Sequence, residues 1–253
     1  MTFLAVLLGQ DIGYSASPAM HNAAFASIGV DARYELRDVD TMSLADEVAA
    51  LLDDGRLGAN VTKPHKIAVC QLVDELAPEV RRLGAANTIV RHGDRLVARN
   101  TDLAALAAEL PPKVRRAVVL GAGGASRAAV AALADAGCPK VLVLDRAHLP
   151  NLPGALATAD LLINATPVGT ASEESPVPAH LLRPSLAVLD LVYRPSPTRL
   201  VREARRKGAP ARGGAGMLLR QAAASFALWT GREAPIEVMR EALERELVGA
   251  THA

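Results

Sequence analysis

Residues 114–127, VRRAVVLGAGGASR, constrain the fold more than any other stretch of the chain. An apolar run over 117–120 breaks into Gly121-Ala122-Gly123-Gly124-Ala125-Ser126, and an alanine-rich segment follows at once. Strand, tight glycine turn and helix start form the context that a dinucleotide-binding fingerprint needs. Gly121 permits the turn, and Gly123 lets the backbone approach a pyrophosphate without a Cβ in the way. Ser126 fills the third position, where a small residue lets helix and strand pack closely. The free N–H groups of the helix start, with its dipole, form an anion site.

At 253 residues, half of them hydrophobic, the chain can bury a substantial core as one large or two small domains. A formal net charge of +1 leaves no basic excess to neutralise phosphates, which argues against a nucleic-acid partner. The one dense basic cluster, Arg202 with Arg205, Arg206 and Lys207, falls on a predicted helix end and reads as a solvated face. The N-terminal MTFLAVLLGQD has no basic flank and no small-residue cleavage site, so it reads as a first strand. No run of about 18 uncharged apolar residues occurs, so no membrane partner is expected and the location is read as cytoplasmic. Cys70 and Cys138 lack metal-ligand spacing; both are expected as buried thiols in apolar helical surroundings, with no metal.

From the N-terminus, a strand over 3–8 leads to the polar turn Gly13-Tyr14-Ser15-Ala16-Ser17-Pro18 and a helix over 19–28. Ser17 is the predicted N-cap, with Pro18 at the first helical position. Ser15 and Ser17, taken alone, read as turn and cap groups; the functional alternative is a pair of hydroxyls at a strand's C-terminal end, where open α/β sheets bind ligands. A strand over 33–39, a helix over 44–52 and a strand over 57–61 follow. The last closes on Asn60-Val61-Thr62-Lys63-Pro64-His65-Lys66. Pro64 is expected to begin a helix carrying Ile67, Cys70 and Val73. That places Lys66 in a first turn, where a cation opposes the dipole, and His65 beside it as a solvated or capping residue. Strands over 88–90 and 96–98 form a hairpin that ends at Asn100-Thr101-Asp102. Pro111-Pro112-Lys113 breaks the chain ahead of the nucleotide unit, so a domain boundary is placed over 103–112.

Beyond the glycine loop, a crossover helix over 128–136 and a strand over 141–144 lead to Asp145-Arg146-Ala147. Asp145 stands about 20 residues past the glycines, where an acid grips a ribose 2′-hydroxyl; Arg146 beside it suits a 2′-phosphate. The segment from 145 to 160 is too short for a full helix and another strand, so the sheet's adenine-side strand is expected to be missing or reduced. Strands over 161–164 and 186–193, a helix over 197–207, a flexible turn at Gly213, Gly214 and Gly216, and helices over 217–230 and from 235 complete the chain.

Taken together, these stretches resemble the shikimate dehydrogenase family, in order and along nearly the whole chain. The resemblance rests on Ser15-x-Ser17-Pro18, Gly58-Ala59-Asn60-Val61-Thr62 with Pro64 and Lys66, Gly84-Ala85-Ala86-Asn87-Thr88 and Asn100-Thr101-Asp102. It continues through the glycine loop, Asn164-Ala165-Thr166-Pro167-Val168-Gly169, Asp190-Leu191-Val192-Tyr193, and Met217-Leu218 with Gln221. It implies a two-domain α/β protein. Residues 1–102 would be an N-terminal substrate domain, 103–220 a Rossmann-like nucleotide domain with a shortened adenine side, and 221–253 helices returning to the substrate domain. The implied reaction is reversible reduction of 3-dehydroshikimate to shikimate, with Lys66 and Asp102 as the catalytic pair. Ser15, Ser17, Thr62, Asn87, Gln221 and Tyr193 would hold the substrate. Gly121, Ala122, Gly123, Gly124, Ala125, Ser126, Asp145, Arg146, Thr166 and Met217 would hold the cofactor.

Hydride transfer to a ketone builds charge on an oxygen that must receive a proton, and Lys66 can supply it. Hydroxyl and amide side chains suit a polyol, because a polar site rejects analogues that leave its groups unpaired. Many members of the family carry Asn-Arg-Thr where this chain has Asp145-Arg146-Ala147. The resemblance therefore implies NADP as cofactor, with NAD the alternative that Asp145 admits. An NAD-linked quinate/shikimate dehydrogenase and a catalytically silent nucleotide or shikimate sensor are the rival readings. The expected assembly is a monomer or homodimer.

Overall fold

The computed structural model describes residues 2–249 as two compact units. One takes the described residues up to Asp102 together with those from Leu219 onward; the other is Leu103–Leu218. The chain opens with β1 (Phe3–Gly9), α1 (Ser17–Ser27), β2 (Ala32–Asp38), α2 (Leu44–Ala49) and β3 (Arg56–Val61). It continues through β4 (Glu75–Leu76), α3 (Pro78–Leu83), β5 (Thr88–His92) and β6 (Arg95–Arg99). Then come α4 (Asp102–Ala107), β7 (Arg116–Leu120), α5 (Gly124–Asp135), β8 (Lys140–Leu144), α6 (Leu152–Ala157), β9 (Leu161–Asn164) and β10 (Ala187–Asp190). The last elements are α7 (Arg199–Arg206), β11 (Ala211–Arg212), α8 (Ala215–Thr230) and α9 (Ile236–Gly249).

The first unit holds a six-stranded sheet in the order β2-β1-β3-β5-β6-β4. Strands β1, β2 and β3 run parallel, as expected of strands joined by helical crossovers, whereas β5 runs antiparallel to both β3 and β6. The register aligns Asn60 with Thr88 and Thr88 with Arg99. The C-terminal ends of β1, β3 and β6 and the start of β5 therefore share one edge of the sheet. Ser15, Thr62, Asn87 and Asp102 all lie just beyond those ends, the end at which open α/β sheets bind ligands.

On one face Val6, Leu8, Val61, Ile89 and Ala98 pack with Leu44, Val48 and Val80. An aromatic cluster of Phe25, Tyr34, Phe226 and Trp229 surrounds His21. Asn22 satisfies both outward backbone groups of Tyr34, accepting from its N–H at 2.7 Å and donating to its carbonyl at 3.1 Å. That protects the unpaired side of the edge strand β2. Gly58 is obligatory at φ +147: a Cβ there would overlap the carbonyl of Ile89, to which the Trp229 indole donates at 3.0 Å.

The second unit is a doubly wound parallel sheet, β11-β10-β9-β7-β8. Strand alternation divides its core. Val118, Leu120, Leu162 and Val188 face Leu152, Leu156, Leu200 and Ala204. Ala117, Val119, Ile163 and Leu189 face Leu106, Ala129, Leu133 and Met217. Between β8 and β9 the chain makes only a 3-10 turn, Arg146–Asn151, and α6. Among the described residues no strand lies outside β8, as the short segment requires. This edge position leaves Leu142 and Val143 46% and 39% exposed.

Several local expectations are corrected. Ala16, not Ser17, is the N-cap of α1, and the cap-like bond comes from Ser15 Oγ, which accepts the Ser17 N–H at 3.3 Å. Pro64 opens no α-helix: residues 63–67 form a turn, followed by a 3-10 helix, Ala68–Gln71. His65 is neither solvated nor a cap; it is buried with Nε2 2.6 Å from the Val39 carbonyl, an inward anchor that draws the chain away from a helical path. The strand expected over 186–193 is confined to Ala187–Asp190, because Leu191 onward turns around the Asp190 carboxylate. The glycines at 213–216 form no flexible turn. A Cβ on Gly214 would strike the Leu191 backbone and one on Gly216 the Glu109 carboxylate, so close packing demands them. Cys138 is buried but Cys70 only half-buried, and neither is in a disulfide.

His21 is fully buried, stacked on Tyr34 at 4.3 Å, and neither ring nitrogen has a hydrogen-bond partner among the described residues. Burial pushes its pKa down to about 3 from an ordinary 6.5. The unfolded chain takes up this proton as pH falls through the ordinary value, whereas the folded chain does not until about pH 3. His21 therefore removes stability as pH drops across that window, at about 1.4 kcal/mol per pH unit. Urea unfolding of His21→Phe is expected to match or exceed the parent at pH 8 and to lose less stability by pH 5. Equal slopes for the two proteins would refute this.

Candidate active site

Lys66, Asn87, Asp102 and Gln221 come from four separate elements and meet through hydrogen bonds. The Lys66 ammonium donates to Asp102 Oδ2 at 2.6 Å. The Asn87 amide donates to Asp102 Oδ1 and to Thr101 Oγ1, each at 2.9 Å, and reaches Gln221 Oε1 at 3.5 Å. Asn87 Oδ1 in turn accepts the Thr101 N–H at 2.8 Å. Both carboxylate oxygens of Asp102 are thus engaged and its side chain is 4% exposed, while Lys66 keeps 17% exposure. The carboxylate is thus the more deeply buried partner of the pair.

Local structure explains this convergence. The Lys66 carbonyl accepts the Ala86 N–H at 2.8 Å, which pins the turn after β3 to the residue preceding Asn87. Asp102 occupies the first turn of α4, yet its carboxylate bonds Lys66 and Asn87. An aspartate at a helix start commonly caps it; here the carboxylate is taken by a cation and an amide instead. Lys66 lies in a turn and not in the first turn of an α-helix as expected, so no α-helix dipole opposes it there; the aspartate is what orients it.

Beneath these groups lies a polar layer that sequence reasoning did not assign. Asn60 Nδ2 lies 3.1 Å from the Asn87 carbonyl, 3.1 Å from Thr88 Oγ1 and 2.9 Å from Ser225 Oγ, three acceptors that share its two N–H groups, and Asn60 Oδ1 accepts from the Tyr34 hydroxyl at 2.9 Å. Ser225 Oγ also donates to the Gln221 carbonyl at 3.0 Å. The available signal was the spacing of four between Gln221 and Ser225, which puts both on one face of α8. Ser15 and Ser17 sit after β1 and Thr62 immediately after β3. The methyl of Thr62 lies where a Cβ on Gly9 would be, so glycine there lets the two strand ends close together. Tyr193 belongs to the second unit, after β10, and is half-buried.

In the second unit, Gly121 at φ +107 makes the turn from β7, and a Cβ there would press on the Ala165 carbonyl. Gly123 is the N-cap of the twelve-residue α5, and a Cβ on it would meet nothing within 4 Å. The space over this helix start is open to an anion, and the backbone of Gly124, Ala125 and Ser126 supplies the free N–H groups. Ser126 is buried, as close helix–strand packing requires. Thr166 turns its hydroxyl onto Asn164 Oδ1 at 2.6 Å. Asn164 Nδ2 donates to Asp190 Oδ1 at 2.8 Å, and Thr198 Oγ1 donates to Asp190 Oδ2 at 2.6 Å. Burial pushes the Asp190 carboxyl pKa up against these donors. Met217 packs in the core on the α5 face. Asp145 caps the 3-10 turn after β8 and bonds His148, while Arg146 is exposed.

A doubly wound parallel sheet with a glycine turn at its first strand–helix junction, on a chain that also carries a held lysine–carboxylate pair, defines a dinucleotide-dependent α/β oxidoreductase. The chain belongs to the shikimate dehydrogenase family. The Shikimate dehydrogenase substrate binding domain matches residues 7–89, and the Shikimate 5'-dehydrogenase C-terminal domain matches residues 214–244. The chain is 42% identical to "Shikimate dehydrogenase (NADP(+))" of Moorella thermoacetica, over 99% of this chain and 95% of that protein. Shikimate 5-dehydrogenase from Thermus thermophilus, solved in complex with NADP(H) and shikimate, superposes with a TM-score of 0.86 at 38% identity, covering 97% of this chain and 100% of the other. A quinate dehydrogenase from Corynebacterium glutamicum in complex with NAD gives 0.83 at 29%, covering 96% and 99%.

Asn87 is the joint of the first unit's site. Asn87→Ala leaves Asp102 Oδ1 and the Thr101 N–H without their partners and is expected to destabilise the protein by about 1–3 kcal/mol. Denaturant unfolding checks this; a loss under about 0.5 kcal/mol, the range of an ordinary surface substitution, would contradict it.

Proposed function

We propose that this chain catalyses the reversible, NADPH-dependent reduction of 3-dehydroshikimate to shikimate in aromatic amino-acid biosynthesis. Lys66 is the proton donor and Asp102 its positioning partner. The observation that carries this reading is the 2.6 Å Lys66–Asp102 pair, clamped from behind by the Asn87 amide.

The dinucleotide, when bound, supplies or accepts the hydride at the substrate carbon. The open helix start at Gly123 suits its pyrophosphate, and half-buried Thr166 lies just past β9 in the same unit. Lys66 hands a proton to the carbonyl oxygen in reduction, and its neutral amine takes the hydroxyl proton back in oxidation. Asp102 has both oxygens committed and little exposure, so its part is to hold the ammonium in direction. Ser15, Ser17, Thr62 and Gln221 bind the hydroxyls and carboxylate of the substrate, and Asn87, its amide committed to Asp102 and Thr101, positions the catalytic pair. A set of neutral donors and acceptors discriminates a polyol acid by leaving groups unpaired against any analogue that lacks a hydroxyl. The two groups of a proton-transfer pair have no use in a silent sensor, which favours turnover.

Absorbance-monitored oxidation of shikimate with NADP+ and NAD+ in parallel, with quinate as second substrate, tests the assignment. Turnover of shikimate with NADP+ is expected. Preference for quinate with NAD+ would make the chain the rival dehydrogenase, and no turnover with either dinucleotide would overturn the reading. Lys66→Ala is expected to lower kcat by about 10²–10⁴-fold, the usual contribution of general acid–base catalysis, with shikimate affinity largely kept. Residual turnover near the parent's, together with lost binding, would remove Lys66 from the proton-transfer role.

A further inference from the structure

The sequence places an acid, Asp145, where a free ribose is gripped, beside an arginine suited to a 2′-phosphate. The structure adds a third group. Asp145 Oδ1 accepts the His148 backbone N–H at 3.1 Å and lies 2.7 Å from His148 Nδ1. A carboxylate only accepts, so at that distance Nδ1 carries the proton and donates. The side-chain bond from His148 holds the Asp145 carboxyl below its ordinary range, so it stays an anion, but one turned toward a donor. The compact turn Arg146–Asn151 brings His148 back onto Asp145, three residues away. The pair remains at the surface, 60% and 45% exposed, with Arg146 exposed between them in the chain.

We propose that His148 is a positioning residue for cofactor choice. By holding the Asp145 carboxylate it quenches an acid that would select free ribose, and so lets Arg146 take a 2′-phosphate. The argument rests on the dinucleotide reading above. An unengaged carboxylate at this place would accept from a 2′-hydroxyl and repel a phosphate dianion. The same carboxylate, saturated on one oxygen by a backbone and an imidazole N–H, does both less strongly. His148 thus reconciles Asp145 with the NADP named for the Moorella thermoacetica relative.

The test is isothermal titration of NADP+ and NAD+, at low ionic strength to limit screening, into the parent, His148→Ala, Asp145→Ala and the double variant. The parent is expected to favour NADP+. His148→Ala should weaken NADP+ about threefold or more, the scale of an exposed charge pair, with NAD+ held or tightened. In the Asp145→Ala background, removing His148 should change NADP+ affinity by less than about twofold, since the two residues act as one unit. An unchanged NADP+/NAD+ ratio in His148→Ala overturns the proposal. So does an equal loss in both backgrounds, which would mean that His148 meets the phosphate itself. A parent that prefers NAD+ overturns the proposal and leaves the dehydrogenase reading standing. A parent that binds neither dinucleotide sinks that reading first.

Discussion

An ammonium and a carboxylate drawn out of water are tolerable only if their remaining hydrogen-bonding capacity is met, and here one amide serves the carboxylate oxygen that the ammonium leaves over. Asn87 donates to Asp102 and Thr101 and accepts from the Thr101 backbone, while its own carbonyl accepts from Asn60. Removing water on one side of a polar group without replacing its bonds costs more than the bonds gain. The Asn60–Thr88–Ser225 layer is therefore the condition under which Lys66 can be aimed at all. Buried polar networks are stable only when complete, and this one is closed from Tyr34 to Gln221.

Strand order makes that network available. Had β5 joined the sheet parallel to β3, Asn87 would lie at the far edge from Thr62 and Lys66. Because β5 runs antiparallel between β3 and β6, its first residue meets the ends of its two neighbours. The second unit solves a similar problem with the ends of two parallel strands. Asn164 closes β9, Asp190 closes β10, and a direct amide–carboxylate bond with a Thr198 hydroxyl fixes both. In each unit an asparagine at a strand end organises the loop beyond it, for it can donate and accept within one rigid group.

Much of this was legible in the residues. The glycine turn, the parallel strands around it and the shortened segment after Asp145 are local features. Strand, turn and helix start occur within a dozen residues, and a crossover needs a minimum length. Asp102 was recognisable as a polar residue just past a strand end, and Lys66 and Asn87 through the motifs that carry the family resemblance. Their mutual bonding was not, since 36 positions separate Lys66 from Asp102. Misread elements share one cause. Pro64 looked like a helix start until His65 found Val39, and the glycines near 214 looked loose until Leu191 and Glu109 pressed against them. Propensity describes the isolated chain, and tertiary contact outweighs it.

By itself, then, the sequence determined the class of fold, the place of the nucleotide turn, the shortening of the sheet beyond β8 and the residue types available for proton transfer. Each of these depends on short-range pattern: hydrophobic periodicity, glycine at a required dihedral and the length of a connection. Only tertiary structure decided which groups touch. It set His21 among aromatic rings, turned His65 inward, seated Asn60 and Ser225 beneath Asn87, and folded His148 onto Asp145. These outcomes depend on register and on packing between residues remote in the chain. A one-residue shift in pairing would turn every side chain to the other face while leaving the local pattern unchanged.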